Sequence, residues 1–405
     1  MTTAPSSSVP QTRNIAVLAL SQALFMSMQS MGIAATPLAA YTLLDAEHKW
    51  MATVPIFLMH LTLMATSFPA SFLMARVGRR GGFTVGGLLG IIGGGLGCLA
   101  IFTRSFPLLC LASCFQGAQG AFFFYFRLAA ADVAEPANRA RAISLVMAGG
   151  VLAGLLGPQT AKWTVDALVV TFAGVYLAST VYSAAVMALI QFVRIPRLTA
   201  AERAEPGRPM SEIIAQPAYR VALASSVFGY AVMTLTMSAT PLAMMACGFG
   251  FPDSATVIQF HVVAMFLPSF FTGSLINRFG VLKVMAAGGA IMLGCALVNL
   301  AGVGFMNFLV ANVLVGLGWN FAYVGGSTLL TSTYKPSERA KVQASHDFTV
   351  YAATATAAAL SGVLAARAGW FVINLAAIPL MLVIIGAAFW LMQRQRREAA
   401  LQPAE

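Results

Sequence analysis

Four side chains stand at a spacing that suits soft-metal chemistry: Met233 with Met237, and His261 with Met265. Each pair is separated by four residues, and residues at i and i+4 share a helix face. A thioether binds a cation without first losing a proton and selects soft ions, above all Cu(I), while a neutral imidazole also suits copper. A mixed set of this kind holds an ion weakly enough to let it go. A second H-x-x-x-M, His60 to Met64, lies about 200 residues earlier. Methionine also fills irregular gaps in apolar cores, and a buried histidine often just bonds a backbone carbonyl. The duplication at corresponding places moves the reading from packing towards ligation. Met244, Met245 and Cys247 follow the first pair and mark a candidate way in.

The absent chemistry narrows the field as much. None of the 13 Asp and Glu residues falls in the middle of an apolar stretch. Proton relays and hard-cation sites are built from such carboxylates, so neither is expected. Gln116, Gln119, Tyr125, Tyr230, Trp319, Asn320 and Tyr323 offer a different lining, one suited to an organic molecule, although each could equally bond a neighbouring helix. Cys110 and Cys114 share one helix face and read as packing. His346 and Asp347 read as a helix cap, with a part in release as the alternative.

The elements that must position these groups follow from composition. Of 405 residues, 59% are hydrophobic and 9% charged, with a net charge of +11. Soluble domains carry about 25% charged residues, so a soluble enzyme, a nucleic-acid binder and a disordered scaffold are all excluded. Twelve stretches reach the roughly 20 apolar residues needed to cross a bilayer. The expected fold class is therefore all-α and membrane-embedded, with residues 1–193 and 218–405 as six-helix bundles and 194–217 as a cytoplasmic linker. Sorting the 24 basic residues by connection places nineteen on one face and four (Lys49, Arg104, Lys162, Arg367) on the other, with Arg127 near an inner span end. By the positive-inside rule both termini are then cytoplasmic. No cleavable leader is expected ahead of the first span, and five cysteines in or beside spans do not suggest a disulfide framework. The expected partners are membrane lipid and a transported ion, with no nucleic acid, no permanently bound cofactor and a monomeric chain.

An internal repeat supports the division. Leu73-Met-Ala-Arg76-Val-Gly78-Arg79 returns as Leu275-Ile-Asn277-Arg278-Phe-Gly280, and Pro136-Ala-Asn-Arg139 returns as Pro336-Ser-Glu-Arg339. Both shifts are about 200 residues, which makes the halves parallel duplicates of the kind that rock about a midplane site. On these loops the chain resembles the major facilitator superfamily along its whole length. Arg76, Gly78, Arg79, Asn277, Arg278 and Gly280 are then its gating-loop residues, with Ala75 and Asn277 replacing the usual acid. Gly150-x-x-x-Gly154-x-x-Gly157-Pro158 resembles part of that superfamily's antiporter motif, although close packing through small residues is the plainer account. The paired M-x-x-x-M and H-x-x-x-M further resemble those of CcoA-type copper importers of bacterial cytoplasmic membranes. That resemblance implies copper uptake supplying a cbb3-type oxidase, with a cytoplasmic chaperone or exporter downstream. The competing expectations are a carrier of riboflavin or a similar organic molecule, and a membrane factor that delivers copper without transporting it.

Overall fold

The computed structural model describes residues 11–134, 139–193, 195, 207–335 and 338–401. The first residues of both P-x-x-R loops, at 136–138 and 336–337, lie outside them. Among the described residues every regular element is helical: α1 (Gln11–Leu43), a 3-10 helix (Ala46–Thr53), α2 (Val54–Phe102), α3 (Phe106–Phe123), α4 (Phe126–Val133), α5 (Arg139–Thr164), α6 (Ala173–Ile190) and α7 (Met210–Ala215) come first. They are followed by α8 (Pro217–Ala246), α9 (Phe251–Phe266), α10 (Ser269–Phe279), α11 (Val281–Ala301), α12 (Phe305–Thr331), α13 (Arg339–Arg367) and α14 (Gly369–Leu401). Ten stretches among the described residues are long and apolar enough to cross a membrane, and eleven when the bent pair α9 and α10 is taken as one. α5 stands where the sequence puts the fifth of twelve spans.

Two glycines make the repeat visible in the backbone. α2 runs through two expected spans and breaks at Gly78, with φ 83° and ψ 164°. α10 hands over to α11 at Gly280, with φ 89° and ψ 147°. A side chain at positive φ meets its own carbonyl, so only glycine adopts this conformation readily. The same turn thus recurs at the same place in both halves.

The remaining break serves the candidate site. α9 and α10 meet at a 43° bend beside Pro268, which has no N–H to continue the ladder. Asn320 of α12 repairs the bend: its amide nitrogen donates to the Met265 carbonyl at 2.7 Å and to Ser269 Oγ at 2.7 Å. Its amide oxygen accepts from Thr272 Oγ1 at 2.7 Å. Backbone freed inside a membrane must find such a partner.

α5 and α9 cross the boundary between the halves as an antiparallel pair. A Cβ on Gly150 would fall 2.6 Å from the Phe266 ring, and one on Gly154 would fall 2.9 Å from Val263. Further along, the Gln159 amide donates to Gln259 at 3.0 Å and Lys162 Nζ donates to Thr256 at 2.7 Å. Gly150 and Gly154 therefore pack closely against the helix that carries His261, while a Cβ on Gly157 would fall 2.6 Å from the Ser27 carbonyl of α1.

Within the expected cytoplasmic linker, 194–217, the short helix α7 forms where Ile213 buries completely beside Tyr219 and Leu329. Just before it, Arg208 donates through Nε (2.8 Å) and a terminal nitrogen (2.7 Å) to the two oxygens of Glu338. The backbone N–H groups of Arg208 and Lys335 donate to the same carboxylate at 2.8 and 2.9 Å, and Lys341 Nζ donates to the Arg208 carbonyl. Glu338 is fully buried. Four donors, two of them on the Arg208 guanidinium, hold its carboxyl well below the usual carboxylate range.

Candidate functional site

His261 sits on α9 with none of its surface exposed. Its Nδ1 lies 2.8 Å from the carbonyl oxygen of Asn312. A carbonyl only accepts, so Nδ1 carries the proton and Nε2 presents a lone pair. Nε2 is buried and has no hydrogen-bond partner. Leaving such an atom unsatisfied costs about 1–3 kcal/mol, whereas a metal-binding imidazole is ordinarily anchored in just this way through its other nitrogen.

The anchor is itself fixed. Asn312 of α12 donates from its side chain to Phe308 O at 2.9 Å and to Thr240 Oγ1 of α8 at 3.2 Å. α12 can lie this close to α9 because residue 316 is glycine: a Cβ there would stand 2.6 Å from the His261 carbonyl. Sequence reasoning missed Asn312. The signal was available, since an asparagine within a span needs a partner.

Met233 and Met237 on α8 and Met265 on α9 are each at least nine-tenths buried. The structure brings all three into one cluster with Ile258, Val262 and Trp319. Thr234, Thr236 and Ser238 bury unpartnered hydroxyls on α8 beside these methionines. Among the described residues, no three His, Cys, Asp or Glu side chains gather at metal-binding distance. A cation held here would depend on thioethers.

The first-half copy is different. His60 is only half buried, and its Nδ1 bonds Ile56 O of its own helix at 2.9 Å. Met64 is half buried as well. Met244 is fully buried against Val257 and Phe308. Met245 packs against the first-half core, and Cys247 is an exposed free thiol. The gating-loop side chains are solvent-facing or ring-stacked: Arg79 lies 5.5 Å from the Tyr125 ring and Arg278 lies 5.2 Å from Phe279.

A second feature is aromatic. Trp319 and Tyr323 stack at 5.1 Å with planes 14° apart. Tyr230 stands edge-on to both, at 5.1 and 4.9 Å. Trp319 Nε1 is buried without a partner. Asn320 belongs to the bend at Pro268 and Gln119 donates to Ser183 at 3.0 Å, so neither faces a ligand. His346 was expected at a helix cap, but α13 starts at Arg339 and buries it two turns in.

The profile of the Major Facilitator Superfamily matches residues 15–306 and 261–405. The chain belongs to that superfamily. The riboflavin transporter RfnT of Brucella anthropi is 35% identical over 376 residues, covering 92% of this chain and 94% of its own. The uncharacterised transporter YddS of Bacillus subtilis, of the same superfamily, is 30% identical over 80% of this chain and 78% of its own. Among solved structures, the human organic anion transporter MFSD10 superposes with a TM-score of 0.67 at 12% identity, covering 94% of this chain and 99% of that one. This last likeness concerns the fold alone. The superfamily consists of transporters, and the chain is a multi-pass membrane transporter rather than an enzyme.

Proposed function

We propose that this transporter carries copper into the cytoplasm of a bacterium, across the inner membrane, with both termini on the arginine-rich cytoplasmic side. The observation that carries this reading is His261: its Nδ1 proton is committed to the Asn312 carbonyl, and Nε2 is free on a helix that also carries the buried thioether Met265. Met237, Met265 and His261 would capture the ion, and Met233 would take it a turn deeper. Alternating access of the two bundles, 1–193 and 218–405, would move it, and a cytoplasmic chaperone serving oxidase assembly would receive it. Purified protein in liposomes should accumulate radioactive copper, and His261→Leu should abolish uptake. Uptake at the wild-type rate in that variant would refute the proposal.

A second reading has its own support. The relative RfnT is named a riboflavin transporter, and that name favours an organic cargo over copper. The stack of Trp319 on Tyr323, with an unpartnered indole N–H, suits a flat heterocycle. On this reading Trp319→Ala or Tyr230→Ala stops transport of riboflavin, while the methionine and histidine variants transport it normally.

A further inference from the structure

Two histidines in the second half share one arrangement, and the copper reading uses only one of them. His346 on α13 is 2% exposed. Its Nδ1 lies 3.0 Å from Asp347 Oδ1, so a carboxylate fixes that nitrogen as the proton donor. Its Nε2 is buried with no hydrogen-bond partner. This is the anchored imidazole with a buried, uncommitted lone pair described for His261, built with a carboxylate in place of a carbonyl.

The two histidines sit at different depths and are joined by rings. His261 lies about 15 Å in from the end of α9 on the face with few basic residues, counting 1.5 Å per residue. His346 lies about 10 Å in from the arginine-rich end of α13 by the same count. Between them, Phe266, next to Met265, lies 6.3 Å from Trp319. Trp319 stacks on Tyr323, whose ring lies 6.5 Å from His346. Tryptophan and tyrosine faces attract a partly desolvated cation.

We propose that His346 Nε2 is a second binding station for a soft monovalent metal ion, on the cytoplasmic side of the first and beyond the Trp319–Tyr323 stack. The proposal rests on the copper reading and gives it a release step. The ion leaves thioether and imidazole for a single imidazole with no thioether assigned to it, a weaker site from which a cytoplasmic acceptor takes it.

The test is the stoichiometry of Cu(I) on purified full-length protein, titrated under reducing conditions against a chromophoric Cu(I) chelator. Wild-type protein should bind two equivalents, and His261→Leu and His346→Leu one each. Should the leucine variant fail to fold, His346→Asn keeps the size and polarity without the imidazole lone pair and should also bind one. If either His346 variant binds as many equivalents as wild type, the station is refuted and the transport reading stands. If wild-type protein binds no Cu(I), the transport reading fails and takes the station with it.

Discussion

His60 and His261 occupy corresponding turns of the two repeats, each with methionine four residues on, and the structure treats them differently. His60 spends its Nδ1 on the carbonyl four residues back in its own helix and stays half buried. His261 reaches across to α12, is wholly buried, and is surrounded by helices bearing three buried thioethers. The motif is thus not sufficient. What makes an imidazole available is a neighbouring helix that takes one nitrogen and leaves the other: glycine lets the helices approach in both halves, at Gly117 against Met59 and at Gly316 against His261, but in the second half the carbonyl of Asn312 takes Nδ1. Elsewhere in the first half, Met28 Sδ accepts from Ser183 and Gln119 donates to that serine.

The sharpest way to break this comparison is to change the two histidines in parallel. His261→Leu is expected to lower copper uptake by more than tenfold in proteoliposomes, and His60→Leu by less than twofold. Equal losses would mean that the environments described here do not matter. Next in size, Met233→Leu and Met265→Leu should each cut uptake about tenfold while thermal stability hardly moves, because a volume-conserving exchange in a core costs under about 1.5 kcal/mol. A melting temperature lowered in step with uptake would assign these methionines to packing.

The gating turns make the opposite prediction, since here the halves agree. Gly280 has open space around a Cβ, so Gly280→Ala should cost only the backbone term, about 1–3 kcal/mol. Gly78→Ala should cost about the same, and a difference of several-fold between them in thermal denaturation would break the equivalence of the repeat.

The smallest effect concerns the linker. Glu338 has its carboxyl depressed by Arg208, so the clasp contributes its full stability above the ordinary carboxylate value of 4.5 and loses it as pH falls below that value towards the depressed one. Between pH 8 and 5.5, proteolysis of the linker should therefore be constant in wild-type protein and accelerated at every pH in Glu338→Gln. Acceleration of the wild type on going from pH 8 to 5.5 would contradict the assignment.

Much of the fold was legible because membrane chemistry is unforgiving. Apolar runs of about 20 residues, basic loops and a repeat of about 200 residues bound the helices closely, and the two repeated loop motifs contain the glycines at which the backbone turns. α7 was not legible, because a six-residue helix depends on where Ile213 finds a pocket and not on its own periodicity. Of the site, the residue types were legible: Met233, Met237 and Met265 are buried in one cluster, and His261 is buried a turn before Met265 on α9. The state of His261 was not, because the proton on Nδ1 is decided by Asn312, which is 51 residues away in sequence. The burial of Met244 was not legible for the same reason: spacing placed it near the outer end of α8, but Val257 and Phe308 close over it.

The central claim is that copper and not an organic molecule is the cargo. Radioactive copper uptake into proteoliposomes, with and without excess riboflavin, tests it most directly. The copper reading predicts uptake that riboflavin does not reduce and that His261→Leu removes. Transport of riboflavin without copper uptake, with full activity in His261→Leu, would contradict it.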